Sequence, residues 1–263
     1  MNSIAKLIVV LALMEVLGAC SSQKPSASKP IPAAVKPQAQ ANQIPYFPPP
    51  PGQRTVEDVL HIYGAYATNK LKPYFARAKV AYPPREVTLI ALKQEKKLEL
   101  WARDSGEFRF IRAYDIQAAS GGSGPKLRQG DRQVPEGVYW ITGLNPNSQY
   151  HLSMKINYPN EFDLFHAWQE GRIDPGSDIF IHGRAVSIGC LAMGDEAIEE
   201  LFVLTAQAGI GNVRIVIAPY DPRAYALAPD AKNLPAWTSE LYAVISREIN
   251  ALSPLAKPAR AGL

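Results

Sequence analysis

The chain has 263 residues, a net charge of +4, 47% apolar and 20% charged residues, and two cysteines. That length supports one sizeable core, and the mild positive balance suits an anionic polymer without diagnosing one. Basic runs with interleaved aromatics are absent, so nucleic acid is not an expected partner.

The first elements read as an address. Lys6 precedes an unbroken apolar run, Leu7 to Leu13, too short for the about 20 apolar residues a spanning helix needs but suited to a secretory signal. No later segment is expected to cross a membrane. Glu15 interrupts the region, which ends in Leu17-Gly18-Ala19-Cys20. This string resembles the lipobox of bacterial lipoproteins. The resemblance implies cleavage after residue 19, a lipid on the Cys20 thiol and, with Ser21 next, sorting to the outer membrane. Residues 20–53 then form the anchor and a Pro-, Ser- and Ala-rich linker ending in Pro48-Pro49-Pro50-Pro51-Gly52. Such a stretch buries too little apolar area to fold, and in polyproline form it would reach up to roughly 100 Å.

Residues 54–86 are expected to be helical. Thr55 can cap, Asp58 completes a box-like pair, and Val56, Val59, Leu60 and Tyr63 keep helical spacing. A second short helix is expected over Pro73 to Val80, stopped by Tyr82-Pro83-Pro84. Val87 to Leu92 and Leu98 to Trp101 read as a hairpin around a polar turn, and Phe108 to Ile111 continues the sheet. A Gly-rich loop, Ser120 to Gly130, precedes strands near Val138 to Thr142, Tyr150 to Ile156 and Ile179 to Ile181. Asp195 opens an amphipathic helix carrying Ile198, Leu201, Phe202 and Leu204; Val213 to Ile217 is a last buried strand. Residues 87–220 thus predict a β-rich α+β domain. Residues 221–263 form a C-terminal extension with a helix near Leu234 to Leu252.

With Cys20 on lipid, Cys190 is left unpaired in an oxidising compartment, where thiols tend to be paired or reactive. A lone cysteine is often a small buried hydrophobe, so its neighbours decide. His182 closes a predicted strand and Cys190 precedes a helix. A thiolate attacks a carbonyl, and an imidazole can take the proton and return it to a leaving amine. Gly189 permits close backbone approach, and the N–H of Cys190, with that of Gly189 or a neighbour, could face an oxyanion.

The string from His182-Gly183 to Ser187-Ile188-Gly189-Cys190 resembles the active-site motif of L,D-transpeptidases of the YkuD type. The resemblance implies a β-sandwich with a packed helix, here preceded by a small helical segment. It makes Cys190 the nucleophile and His182 the base, with Gly183, Ser187 and Gly189 as motif residues. The short His-to-Cys spacing and Ala192, where the common pattern has Arg, resemble a YafK-type branch. So do the hairpin Leu92-Lys93 through Trp101, the loop Gly124-Pro125-Lys126 through Gly137, and Tyr158-Pro159-Asn160-Glu161-Phe162-Asp163.

The resemblance further implies acyl transfer on peptidoglycan stem peptides in cell-wall biogenesis, with an amine or water as acceptor. The alternatives are a hydrolase that releases a wall-bound lipoprotein, and a non-catalytic wall-binding lipoprotein. A stem peptide carries free carboxylates, so Arg184 and Arg132 are candidate binding residues, and Tyr158 and Asn160 could shape the groove. Asp131 and Glu136 are expected to fix the long loop through backbone or through Arg128 and Arg132. Ser187 either orients His182 or closes a turn. His61, His151 and His166 lie on different elements without zinc-ligand spacing, and His166 is expected at the surface. Gly121-Gly122-Ser123-Gly124 is no nucleotide loop. Neither metal nor cofactor is expected, and the chain should be monomeric.

Overall fold

Thr55 sets the start of helix α1 (Val56–Ala78): its side chain accepts from the Asp58 amide, and the Asp58 carboxylate accepts from the Thr55 amide at 2.7 Å. This computed structural model describes residues 49–50, 52–229 and 234–252, all within one unit, Tyr46–Leu263. The signal sequence, Cys20 and nearly all of the linker lie outside the described residues. The two helices expected between residues 56 and 80 are one, with Pro73 inside it. Proline there removes one backbone hydrogen bond, but Leu71 and Phe75 are buried on either side and hold the helix through it.

Three antiparallel strands follow, β1 (Glu86–Leu92), β2 (Lys97–Arg103) and β3 (Arg109–Asp115). Next come β4 (Ala118–Ala119), the Gly-rich loop, β5 (Gly137–Asn145), β6 (Ser153–Ile156) and helix α2 (Glu161–Gln169). Then β7 (Phe180–His182), β8 (Leu191–Ala192), helix α3 (Asp195–Ala208), β9 (Val213–Ala218) and helix α4 (Thr238–Leu252) complete the described chain. The sheet order is β3-β2-β1-β9-β5-β6-β7-β8-β4. Strand β5 belongs to both halves. Gly137 to Trp140 pair with β9, Ile141 to Asn145 pair with β6, and the register shifts between Ile141 and Gly143. Such an irregularity bends a strand, and here it turns the sheet from one half into the other.

The α+β expectation holds. The main core draws Leu89, Ile215 and Ile217 from one half, Met154, Ile156 and Ile181 from the other, and Phe202 from α3. Alternate residues of the central strands, Ile90, Leu92, Val216 and Ala218, face a second core closed by Leu241, Tyr242, Ile245 and Ile249 of α4. Burial on both faces explains why β1 and β9 are largely apolar, broken only by Glu86 and Thr88 in the one and Arg214 in the other.

Helix α2 was not foreseen. Asn160, taken for a groove residue, is its N-cap: the side chain accepts from the Asp163 amide, and Asp163 accepts from the Asn160 amide, both at 3.0 Å. Its apolar residues do not sort onto one buried face, since Leu164, Phe165 and Trp168 are exposed. The periodicity that marks a helix is therefore missing.

Candidate active site

Strands β7 and β8 run parallel, with Ile181 opposite Leu191 and His182 opposite Ala192. Cys190, one residue before β8, therefore enters level with the start of β7. Both side chains line one cavity of about 560 Å³. Its wall also includes Lys126, Arg132, Tyr150, Asp178 and the apolar side chains of Val186 and Ile188.

His182 is buried, and its Nδ1 lies 2.6 Å from the carbonyl oxygen of Gly183. A carbonyl only accepts, so Nδ1 carries the proton and Nε2 is left with a free lone pair. The ring of Tyr150 packs on the imidazole at a centroid distance of 4.6 Å and an angle of 34°. Burial lowers the basicity of His182, partly offset by the bond to Gly183. Gly183 cannot be larger: a Cβ there would lie 2.7 Å from the Tyr150 carbonyl and from Asp195 Oδ1.

Cys190 is a half-buried free thiol. Burial pushes its pKa up, while a backbone hydrogen bond from Phe180 and the positive charge of Lys126 pull it back. The approach to it is set by Gly189, whose φ of 126° is a left-handed conformation that favours glycine. Ser187 closes this turn. Its hydroxyl donates to the Cys190 carbonyl at 2.7 Å and accepts from the Ser120 amide at 3.1 Å. The Gly189 amide also points to Ser187, at 3.4 Å. The bonds of Ser187 thus go to the cysteine turn and Ser120.

The other candidates part company. Arg132 lines the cavity. Arg184 does not: it is exposed, with its amide bonded to Asp195 at 2.8 Å. Tyr158 is buried, its hydroxyl directed at the carbonyls of Pro175 (2.8 Å) and Lys126 (3.2 Å), and Asn160 caps α2. These three shape the scaffold rather than the cavity wall.

The long loop is fixed as expected by its two acids, but through lysines and amides rather than arginines. Asp131 accepts from the amides of Leu127, Arg128 and Gln133 and from Lys126 Nζ. Glu136, fully buried, accepts from Lys93 Nζ at 3.0 Å and the Gly124 amide at 2.8 Å.

Lys126 and Tyr150 are among the cavity residues that sequence reasoning missed. Lys126 sat in a loop motif with no chemical signal of its own, and Tyr150 looked like the start of a strand. His166 also departs from expectation. It is buried, stacked on Trp237 at 4.5 Å. Among the described residues no group of three or more His, Cys, Asp or Glu could hold a metal ion.

The fold thus brings a free thiol and a singly protonated imidazole from adjacent parallel strands to one cavity. The family model of the YkuD L,D-transpeptidase catalytic domain matches residues 86–217, and the chain belongs to this family. It is similar to the protein named "Putative L,D-transpeptidase YafK" in Escherichia coli strains K12 and O157:H7. Identity is 36% over 133 residues, 49% of this chain and 52% of theirs. The chain thus spans about half the length of the curated relatives it matches. Among solved structures it is similar to the helical cell shape determining protein Pgp2 of Campylobacter jejuni (TM-score 0.43, 17% identity, 65% of this chain and 56% of that one). It is also similar to L,D-transpeptidase 1 of Mycobacterium tuberculosis (TM-score 0.30, 13% identity, 51% and 62%).

Proposed function

We propose that the chain is a cysteine-dependent L,D-transpeptidase acting on diaminopimelate-containing peptidoglycan stem peptides, with Cys190 as nucleophile and His182 as base. The observation that carries this reading is the shared cavity of the two side chains, with His182 Nδ1 committed to Gly183 and Nε2 left to take a proton. Nε2 takes the thiol proton as Sγ attacks the carbonyl carbon at the L-centre of diaminopimelate. The tetrahedral intermediate collapses, the bond to D-alanine breaks, and the departing amine receives the proton from His182. A thioester remains on Cys190. An amine acceptor then attacks it, gives up its proton to His182 and restores the thiol. Water in place of the amine would make the same site a hydrolase, including one that frees a wall-bound lipoprotein.

The Cys20 lipobox string supports attachment to the outer membrane facing the periplasm, with the linker as tether and no partner chain required. Incubating the purified chain and its Cys190→Ala variant with muropeptides and wall-bound lipoprotein, followed by mass spectrometry, tests the whole reading. New cross-links identify a transpeptidase. Lost D-alanine or freed lipoprotein, without cross-links, identifies the hydrolase. Identical profiles from both proteins reject catalysis and leave a wall-binding lipoprotein.

A further inference from the structure

Three charged side chains line the Cys190 cavity, and their pairing differs. Lys126 Nζ is engaged by Asp131 at 2.5 Å and by the Arg128 carbonyl at 2.9 Å. Asp178 is engaged by Lys155 at 2.6 Å. Arg132 has no hydrogen-bond or ion-pair partner among the described residues, and it is exposed. Its backbone is left-handed, with φ at 55°, a conformation that is unfavourable for a non-glycine residue. The neighbours on both sides hold it there. Asp131 accepts from Leu127, Arg128 and Gln133, and the Gln133 side chain binds Gly122 and Gly124. The loop thus keeps an unpaired guanidinium on the wall of the site, carried on a left-handed backbone position.

The turn that carries Cys190 adds a second feature. Val186 and Ile188 line the same cavity with 57% and 73% of their surface exposed. The cavity therefore offers uncovered aliphatic surface and an uncommitted cation beside one thiol. An acyl donor whose side chain is a short run of methylenes ending in a carboxylate matches both. Diaminopimelate supplies such a run and such a carboxylate, with an ammonium on the same terminal centre, on the residue whose carbonyl the thiol would attack. Guanidinium binds carboxylate bidentately, and an amide in its place loses both the charge and one acceptor oxygen.

We propose that Arg132 binds the side-chain carboxylate of the diaminopimelate donor, so that the site selects donors in which this carboxylate is free over those in which it is amidated. The inference rests on the assignment of the cavity to stem peptides and specifies which form of them it takes.

Binding to the full-length Cys190→Ala chain, measured by titration calorimetry, separates recognition from chemistry. Three tetrapeptides are compared: the free acid, one amidated on diaminopimelate, and one amidated on D-glutamate. Amidating diaminopimelate should weaken binding by about tenfold or more, and amidating D-glutamate by less than about threefold. Adding Arg132→Met should bring the free acid down to the amidated peptide and leave the latter unchanged. Arg132 is exposed and unpaired, so the thermal midpoint should stay within about a degree or two. Equal binding of the first two peptides, an Arg132→Met loss shared by both, a loss that follows D-glutamate, or no binding of any peptide would overturn the inference. Turnover by the chain with Cys190 intact is scored separately. Selective binding without turnover removes the enzymatic reading and leaves this one standing; turnover without selectivity does the reverse.

Discussion

The hydroxyl of Ser187 donates to the carbonyl oxygen of Cys190, three residues on, at 2.7 Å. Ser187 Oγ also accepts from the Ser120 amide and contacts Ser120 Oγ at 3.0 Å. One small side chain thus ties the cysteine turn to the start of the long loop that carries Lys126 and Arg132. Ser187→Ala leaves the Ser120 amide without its partner, at a cost of about 1–2 kcal/mol. The urea midpoint should fall accordingly. In the proposed enzyme kcat should drop more than KM rises, since a thiol displaced by an ångström loses attack geometry. Unchanged stability together with unchanged kcat would reject this role.

The pH profile follows from burial. His182 is less basic than its ordinary value of 6.5 because burial disfavours the imidazolium. Cys190 is pushed above the usual thiol range, again first by burial. Near neutrality the pair therefore rests as neutral imidazole and neutral thiol. Turnover should be flat there and fall on the acid side with a midpoint below pH 6.5. Stability shares the sign: a depressed imidazole contributes fully above 6.5 and is lost as pH falls through the folded value, because the unfolded ring takes up its proton first. Iodoacetamide labelling of Cys190 should accelerate only well above pH 8. An acid limb centred above 6.5, or labelling that saturates at neutrality, would contradict the account.

The residues that were legible in the sequence are those with a local signal. Thr55 and Asp58 announce a cap because the capping box is a matter of four adjacent residues. The strands around Val87 and Val213 announce burial by composition alone. His182 and Cys190 were singled out by the His-Gly and Ser-x-Gly-Cys strings, and the register of β7 and β8 brings both to one cavity. What stayed hidden depends on distant partners. Glu136 could not be paired with Lys93 from a separation of 43 positions. Tyr150 comes to His182 because β6 pairs with β7. Arg184, next to the motif glycine, looked closer to the chemistry than Arg132. Its amide is instead drawn to Asp195 at the start of α3.

Tyr150 packs on His182 through its ring, and no hydrogen bond to its hydroxyl is present among the described residues. Ring contacts of this kind contribute about 0.5–1.5 kcal/mol. Tyr150→Phe should therefore preserve kcat. Tyr150→Ala should lower it roughly three- to tenfold by freeing the imidazole to turn. A Phe variant as impaired as the Ala variant would mean that the hydroxyl, not the ring, is what matters.

Lys93 and Glu136 form an ion pair removed from solvent, with 7% and 0% of their side chains exposed. Desolvation drives the Lys93 pKa down, and the Glu136 charge counteracts it. Lys93 also donates to the Val134 carbonyl at 3.0 Å, so the pair fastens the end of the long loop to the end of β1. Such a pair adds little net stability over an apolar filling, yet breaking it leaves one buried charge alone. Lys93→Met should cost about 3–5 kcal/mol in urea denaturation. Glu136→Gln keeps an acceptor for Gly124 but strands the ammonium, which can shed its proton, so its cost should be smaller and should shrink as pH rises. The double variant should be more stable than Lys93→Met alone, giving a coupling of more than about 1 kcal/mol. Additive losses would show that the two side chains act on the loop independently, through Val134 and Gly124, and that their charges are not what fastens it.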